Sequence, residues 1–129
     1  MTTDLTMLAL AGLLALVHIV AYSVSALRDL GVPYAAGARD EERKPGDVAG
    51  RLRRALTNFM ETFPLFAAAV LFAHVSGTAN GTTALAATIY VAARVLYLPL
   101  YGFGIAYWRS ALWGVATAAI LVIFLNGLV

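Results

Sequence analysis

The chain of 129 residues contains no cysteine. That excludes disulfides, zinc–thiolate sites and a protein thiol nucleophile. Any thiol chemistry performed here uses a thiol that the substrate brings. Charge is also scarce: 12% of residues are charged and 61% are apolar, whereas a soluble domain carries about 25% charged residues. So few charges cannot cover a water-facing surface. The formal net charge is only +2, and nothing in its distribution points to a nucleic-acid partner. The N-terminus lacks the basic segment of a cleavable signal peptide and carries Asp4 instead.

What is present is long apolar runs. Four segments, at about residues 5–27, 48–75, 84–106 and 109–128, are long enough to cross a hydrocarbon core of roughly 30 Å. The fold class expected is all-α, an integral membrane four-helix bundle occupying residues 1–129 as a single domain. The first connection, roughly Arg28 to Gly50, is hydrophilic and rich in glycine and proline. Asp47 is the expected N-cap of the second span. The connection Ser76–Thr83 is short and uncharged, and the last turn falls near Tyr107–Trp108. Pro64 and Pro99 interrupt their helices and are expected to kink them.

The basic residues set an orientation. Arg28, Arg39, Arg43, Lys44, Arg51, Arg53 and Arg54 lie in or beside the first connection and Arg109 beside the third, with none in the second. Short basic connections stay cytoplasmic. The sequence therefore predicts a multi-pass cell-membrane protein with both termini on the non-cytoplasmic side. Tyr107, Trp108 and Trp113 suit an interfacial aromatic belt.

Polar residues inside the spans are the candidate site, because a charge at the centre of a membrane helix costs about 2.5–3.5 kcal/mol and usually faces protein or water. Arg51, Arg54, Asn58 and Glu61 recur at three- and four-residue spacing on one face of the second span. Tyr90, Arg94, Tyr97 and Tyr101 do the same on the third. Arg94 sits near mid-span and needs a partner; Glu61, the acid within the same depth, is the expected one. Arg109 and Ser110 open the fourth span. Plainer readings stand beside these. The stripe on the second span could be structural glue between helices, Arg51 a snorkelling interfacial residue, Arg94 a structural cation and Arg109 an interfacial anchor. His18 and His74 have no second ligand at metal spacing and read as structural; no metal site is expected.

The residues Arg54-Ala-Leu-Thr-Asn58-Phe-Met-Glu61-Thr, together with Tyr97-Leu-Pro-Leu-Tyr101 and Arg109-Ser110, resemble the two signatures of the MAPEG family, the membrane-associated proteins in eicosanoid and glutathione metabolism. The resemblance covers essentially the whole chain. It implies a homotrimer of four-helix protomers with sites between subunits. It also implies glutathione as co-substrate, transferred to lipophilic electrophiles or used to reduce peroxides. Residue by residue, it implies that Arg54, Asn58 and Glu61 hold glutathione, that Tyr97 and Tyr101 contact it from the neighbouring subunit's third helix, and that Arg109 stabilises the thiolate. Arg28 resembles a further carboxylate-binding residue. Two positions differ from eicosanoid-type members. Thr62 follows the glutamate where some have tyrosine, and Tyr97 stands where the prostaglandin-type enzyme has histidine.

The chemistry suits these residue types. Glutathione presents two carboxylates, one ammonium and one thiol. Arg28, Arg51 and Arg54 can bind carboxylates bidentately; Glu61 can take the ammonium; Asn58, Arg94 and the tyrosines can supply further hydrogen bonds. Arg109, Tyr101 and Ser110 are the candidates for acting on the sulfur. A lipophilic small-molecule substrate could enter from the lipid bilayer between the first and fourth spans. Two competing readings remain at this point: a small four-helix membrane transporter built on Glu61, and a non-catalytic membrane assembly module. Fixed cations beside Glu61 oppose the first, since they disfavour both its protonation and a cationic substrate.

Overall fold

A computed structural model describes all residues, 1–129, and contains helices only. The elements are α1 (Thr3–Leu30), the short α2 (Val32–Ala36), α3 (Asp47–Val75), α4 (Gly81–Gly102) and α5 (Tyr107–Leu128). α1, α3, α4 and α5 are each long and apolar enough to cross a membrane. The protein is an integral membrane protein. The central pair, α3 and α4, pack on each other. α1 lies against both, α5 lies against both, and α1 and α5 do not touch.

Small side chains allow this packing. Ten of the eighteen buried hydrophobic residues are alanines, so the helices approach closely, while large residues such as Leu13, Leu16, Val20 and Leu121 point outwards. Between helices in lipid, small residues let the backbones approach closely, and the resulting van der Waals packing is one of the main sources of attraction. α1 shows it most sparingly: its buried positions are Asp4, Ala11 and His18, a single seam at seven-residue spacing.

The ends are set by local chemistry. α1 stops at Gly31, whose φ of +83° is accessible to glycine at little cost. Pro33 then sits in the first turn of α2, where its missing N–H is not needed. Two side chains tie down the first connection. Asp29 accepts from the Gly46 N–H at 2.7 Å, and the Tyr34 hydroxyl donates to the Glu41 carbonyl at 2.7 Å while accepting from the Arg43 N–H at 3.0 Å. Gly46, not Asp47, occupies the N-cap of α3; Asp47 is the first helical residue, where its charge suits the positive end of the helix dipole.

α4 begins three residues earlier than the apolar pattern implies. Asn80 accepts from the backbone of Thr82 and Thr83, and Thr83 returns a bond to Asn80, a reciprocal cap that extends the helix. Asn80 also donates to Asn126, which in turn donates to the Thr78 carbonyl; this clips the end of α5 to the second connection. α4 ends at Gly102 rather than near Ala106, because Phe103–Ala106 form the turn, with Gly104 at φ +75°. Tyr107 and Trp108 therefore belong to α5, where both are largely exposed.

Candidate functional site

The antiparallel α3–α4 pair carries three polar bridges at successive depths from the basic end. Arg51 Nε donates to the Gly102 carbonyl at 3.0 Å. One turn deeper, Arg54 Nε donates to the Tyr101 hydroxyl oxygen at 3.2 Å. One turn deeper again, Arg94 Nη1 donates to Asn58 Oδ1 at 2.8 Å. Thr62 and Tyr90 continue the ladder, their hydroxyls 3.0 Å apart. The three-and-four spacing produces this register for Arg51, Arg54, Asn58 and Thr62 on α3 and for Tyr90, Arg94 and Tyr101 on α4.

Arg94 is fully buried, and its partner is not the one the sequence suggested. No Glu61–Arg94 ion pair forms; the protein's one salt bridge joins Arg43 to Glu41 in the first connection. Three residues of helix carry Glu61 about 60° around the axis from Asn58, so it faces outwards and is exposed. Arg94 instead lies between two rings, Phe59 at 5.3 Å and Tyr97 at 4.3 Å. Cation–π contacts of this kind gain strength when desolvated. They support a guanidinium whose Nε and Nη2 have no hydrogen-bond partner.

The stacking continues in both directions. His18 stacks on Phe59 at 4.7 Å, with its Nδ1 within 2.9 Å of the Leu14 carbonyl. Tyr97 lies 5.7 Å from Tyr101, and the Arg109 guanidinium sits 4.4 Å over the Tyr101 ring. The run His18–Phe59–Arg94–Tyr97–Tyr101–Arg109 thus joins α1, α3, α4 and α5. It ends at an open cavity of about 290 Å³ walled by Asn58, Tyr97, Tyr101, Arg109, Ser110 and Trp113.

Of the residues singled out from the sequence, Asn58, Tyr97, Tyr101, Arg109 and Ser110 meet at this cavity. Arg54 and Arg94 hold its walls from behind. Arg51 reaches the end of α4 nearby. Arg28 and Glu61 are exposed and line neither this cavity nor the basic basin beside the first connection. Three residues of the cluster escaped the sequence reading as site components: Phe59, His18 and Trp113. Phe59 carried a usable signal, since it follows Asn58 on a helix whose neighbouring turns hold the polar stripe.

A tyrosine whose oxygen already accepts from Arg54 keeps its own proton free to donate. Arg109, at the third position of α5, adds a fixed positive charge against the same ring. The arrangement can therefore hold an anion at the Tyr101–Arg109–Ser110 corner, with an amide-bearing molecule along Asn58 and Tyr97. Hydrogen bonds to an ionised partner are about twice as strong as neutral ones.

A search of curated proteins finds no match to this chain. The profile of the MAPEG family matches residues 5–129, the four spans and both polar stripes included, and the chain belongs to that family.

Proposed function

We propose that the protein is a glutathione-dependent membrane enzyme that activates the glutathione thiol towards lipophilic electrophiles, as a transferase or in a related peroxidase reaction. The observation that carries this reading is the convergence of Asn58, Tyr97, Tyr101, Arg109 and Ser110 on one cavity, with Arg54 hydrogen-bonded to its Tyr101 wall. Arg54 and Arg51, beside the cavity, supply cations for the two carboxylates. Arg28 and Glu61 line neither this cavity nor the basic basin within one protomer, and their roles as a further cation and as the acid for the ammonium belong to a site completed between subunits. Asn58 gives its oxygen to Arg94 and keeps its amide nitrogen to donate to a peptide carbonyl.

The thiol loses its proton to water, and Arg109, Tyr101 and Ser110 stabilise the thiolate left behind. The sulfur then forms a bond to the electrophilic carbon of the lipophilic substrate, whose leaving group departs with its electron pair. A protein without cysteine contributes by lowering the thiol pKa. A shift of about two units, roughly 2.7 kcal/mol, makes most of a thiol of pKa about 8.5 ionised near pH 7.

The reading includes a homotrimer. In one protomer Glu61 is exposed about 21 Å along α3 from its start, a costly place for a charge facing lipid. A neighbouring copy over this face removes that cost and brings further groups to the cavity. Because α1 and α5 of one protomer do not touch, a lateral path for the lipophilic substrate between these helices runs between subunits. The basic end faces the cytoplasm, where glutathione enters, and both termini face the other side.

The test is product formation by liposome-reconstituted protein given glutathione and a lipophilic aryl halide, with the thioether measured by mass spectrometry. The reading expects a thioether that depends on protein and glutathione and disappears in an Arg109→Leu/Tyr101→Phe double variant. Thioether formation no faster than in empty liposomes, with aryl halides and hydroperoxides alike unchanged, would exclude it.

A further inference from the structure

A second cavity, of about 610 Å³, opens at the basic end between the last turns of α1, the first connection and the first turns of α3. Six cations line it, Arg39, Arg43, Lys44, Arg51, Arg53 and Arg54, against two acids, Glu42 and Asp47. It is a built cavity rather than a loose charged loop. Tyr34 is bonded to Glu41 and Arg43, Arg43 lies over the Tyr34 ring at 5.0 Å, and Asp29 holds Gly46. Arg51 and Arg54 turn their Nε atoms to α4. Lys44 and Arg53 make no hydrogen bond or ion pair through their side chains, so their charge is uncommitted.

A third cavity of about 270 Å³, mainly apolar, adjoins this basin. The two share Tyr22, Leu30, Tyr34 and Arg39; the apolar one runs on along Ser23, Ala26 and Leu27. From Leu30 to Tyr22 it descends about 12 Å along α1, from the polar end into the lipid-facing part of the helix. Leu27 is exposed beside it. A basic basin continuous with an apolar crevice that opens sideways fits one chemical form: an anionic head on an alkyl chain, entering from the bilayer.

We infer that this paired cavity is a binding site for an anionic phospholipid of the surrounding leaflet. The phosphate lies among Arg39, Arg43, Lys44 and Arg53, and the upper part of an acyl chain lies along Leu27 and Leu30. Arg51 and Arg54 line this basin and are also the cations proposed for glutathione, so the two sites adjoin; the phosphate is placed on the other four cations, and the inference does not rest on glutathione binding. Basic clusters at a membrane surface recognise anionic headgroups by charge, and here the crevice adds a place for the chain.

The experiment is native mass spectrometry of the full chain released from bilayers of equal phosphatidylglycerol and phosphatidylcholine content. Each cation near an anionic surface is worth about a fivefold preference. Phosphatidylglycerol is expected to be retained over phosphatidylcholine, with that preference falling by roughly 25-fold in Lys44→Ala/Arg53→Ala. Both side chains are exposed and unpartnered, so the fold is expected to survive, with an unchanged helical circular dichroism spectrum as the check. Leu30→Trp, which fills the crevice, is expected to reduce lipid retention while leaving the affinity for inorganic phosphate at the wild-type level. Equal retention of the two lipids by the wild type would overturn the inference, as would a preference unchanged in the double variant. Complete displacement by glycerol phosphate would mark a soluble-anion site instead. Displacement by glutathione would merge the basin with the glutathione cavity and remove the separate site.

Discussion

The Nε of Arg54 donates to the hydroxyl oxygen of Tyr101 at 3.2 Å, which fixes the direction in which that phenol can act. With its oxygen engaged, its proton remains for an anion in the neighbouring cavity. The same ring supports Arg109 at 4.4 Å. Tyr101 is therefore the joint between the residues proposed to hold glutathione and the residue proposed to hold its sulfur.

Tyr101→Phe separates these duties. The ring under Arg109 remains and the donor is lost. A hydrogen bond to a charged group is worth about 1.5–3 kcal/mol, so the pKa of the bound thiol is expected to rise by about one to two units, with glutathione affinity reduced far less. Ultraviolet thiolate absorbance of bound glutathione against pH measures this.

Arg109→Leu removes the fixed charge instead. Retained binding is expected, with a thiol pKa raised by more than about one unit and a matching fall in conjugation rate at pH 7. An unchanged titration would take Arg109 out of the mechanism and leave Tyr101 as the main donor.

The Arg94–Asn58 bond makes a prediction about stability. Asn58→Ala leaves a fully buried guanidinium without its one hydrogen bond, at a cost of about 1.5–3 kcal/mol. Arg94→Lys is expected to be destabilising as well, because a lysine ammonium lacks the planar, delocalised charge that suits the Phe59 and Tyr97 rings beside it. Arg94→Met, which removes the buried charge, is expected to be tolerated better than Asn58→Ala. Thermal unfolding in one detergent ranks the three.

Asn80→Ala tests the opposite end. Loss of the reciprocal cap and of the Asn126 contact is expected to destabilise the protein by about 1–2 kcal/mol without altering glutathione binding. The same unfolding assay, paired with a binding titration, checks both halves.

The four spans were legible because hydropathy and length decide them almost alone in a membrane protein. Helical spacing made Arg51, Arg54 and Asn58 on α3 and Tyr90, Arg94 and Tyr101 on α4 legible as facing stripes, whereas Glu61 turns outwards. Helix ends were less so. The early start of α4 depends on a cap between Asn80 and Thr83, and α2 was hidden because Gly31 and Pro33 read as breakers although proline suits a first turn. The partner of Arg94 was missed for a geometric reason: opposite charge pointed to Glu61, while rotation about α3 presents Asn58. His18 looked like an isolated core residue because its link to Arg94 passes through Phe59 and exists only once α1 packs on α3.

The most direct test of the central claim is calorimetric titration of glutathione into the detergent-purified protein, with Arg54→Ala and Glu61→Gln beside the wild type. Saturable binding by the wild type is expected, with a loss of roughly ten- to a hundredfold in each variant, from about 1.5–3 kcal/mol per charge-assisted hydrogen bond, and with membrane insertion intact. Absence of saturable binding by folded wild-type protein, or equal affinity in all three, would contradict that claim and leave the polar stripe of α3 as structural glue between helices.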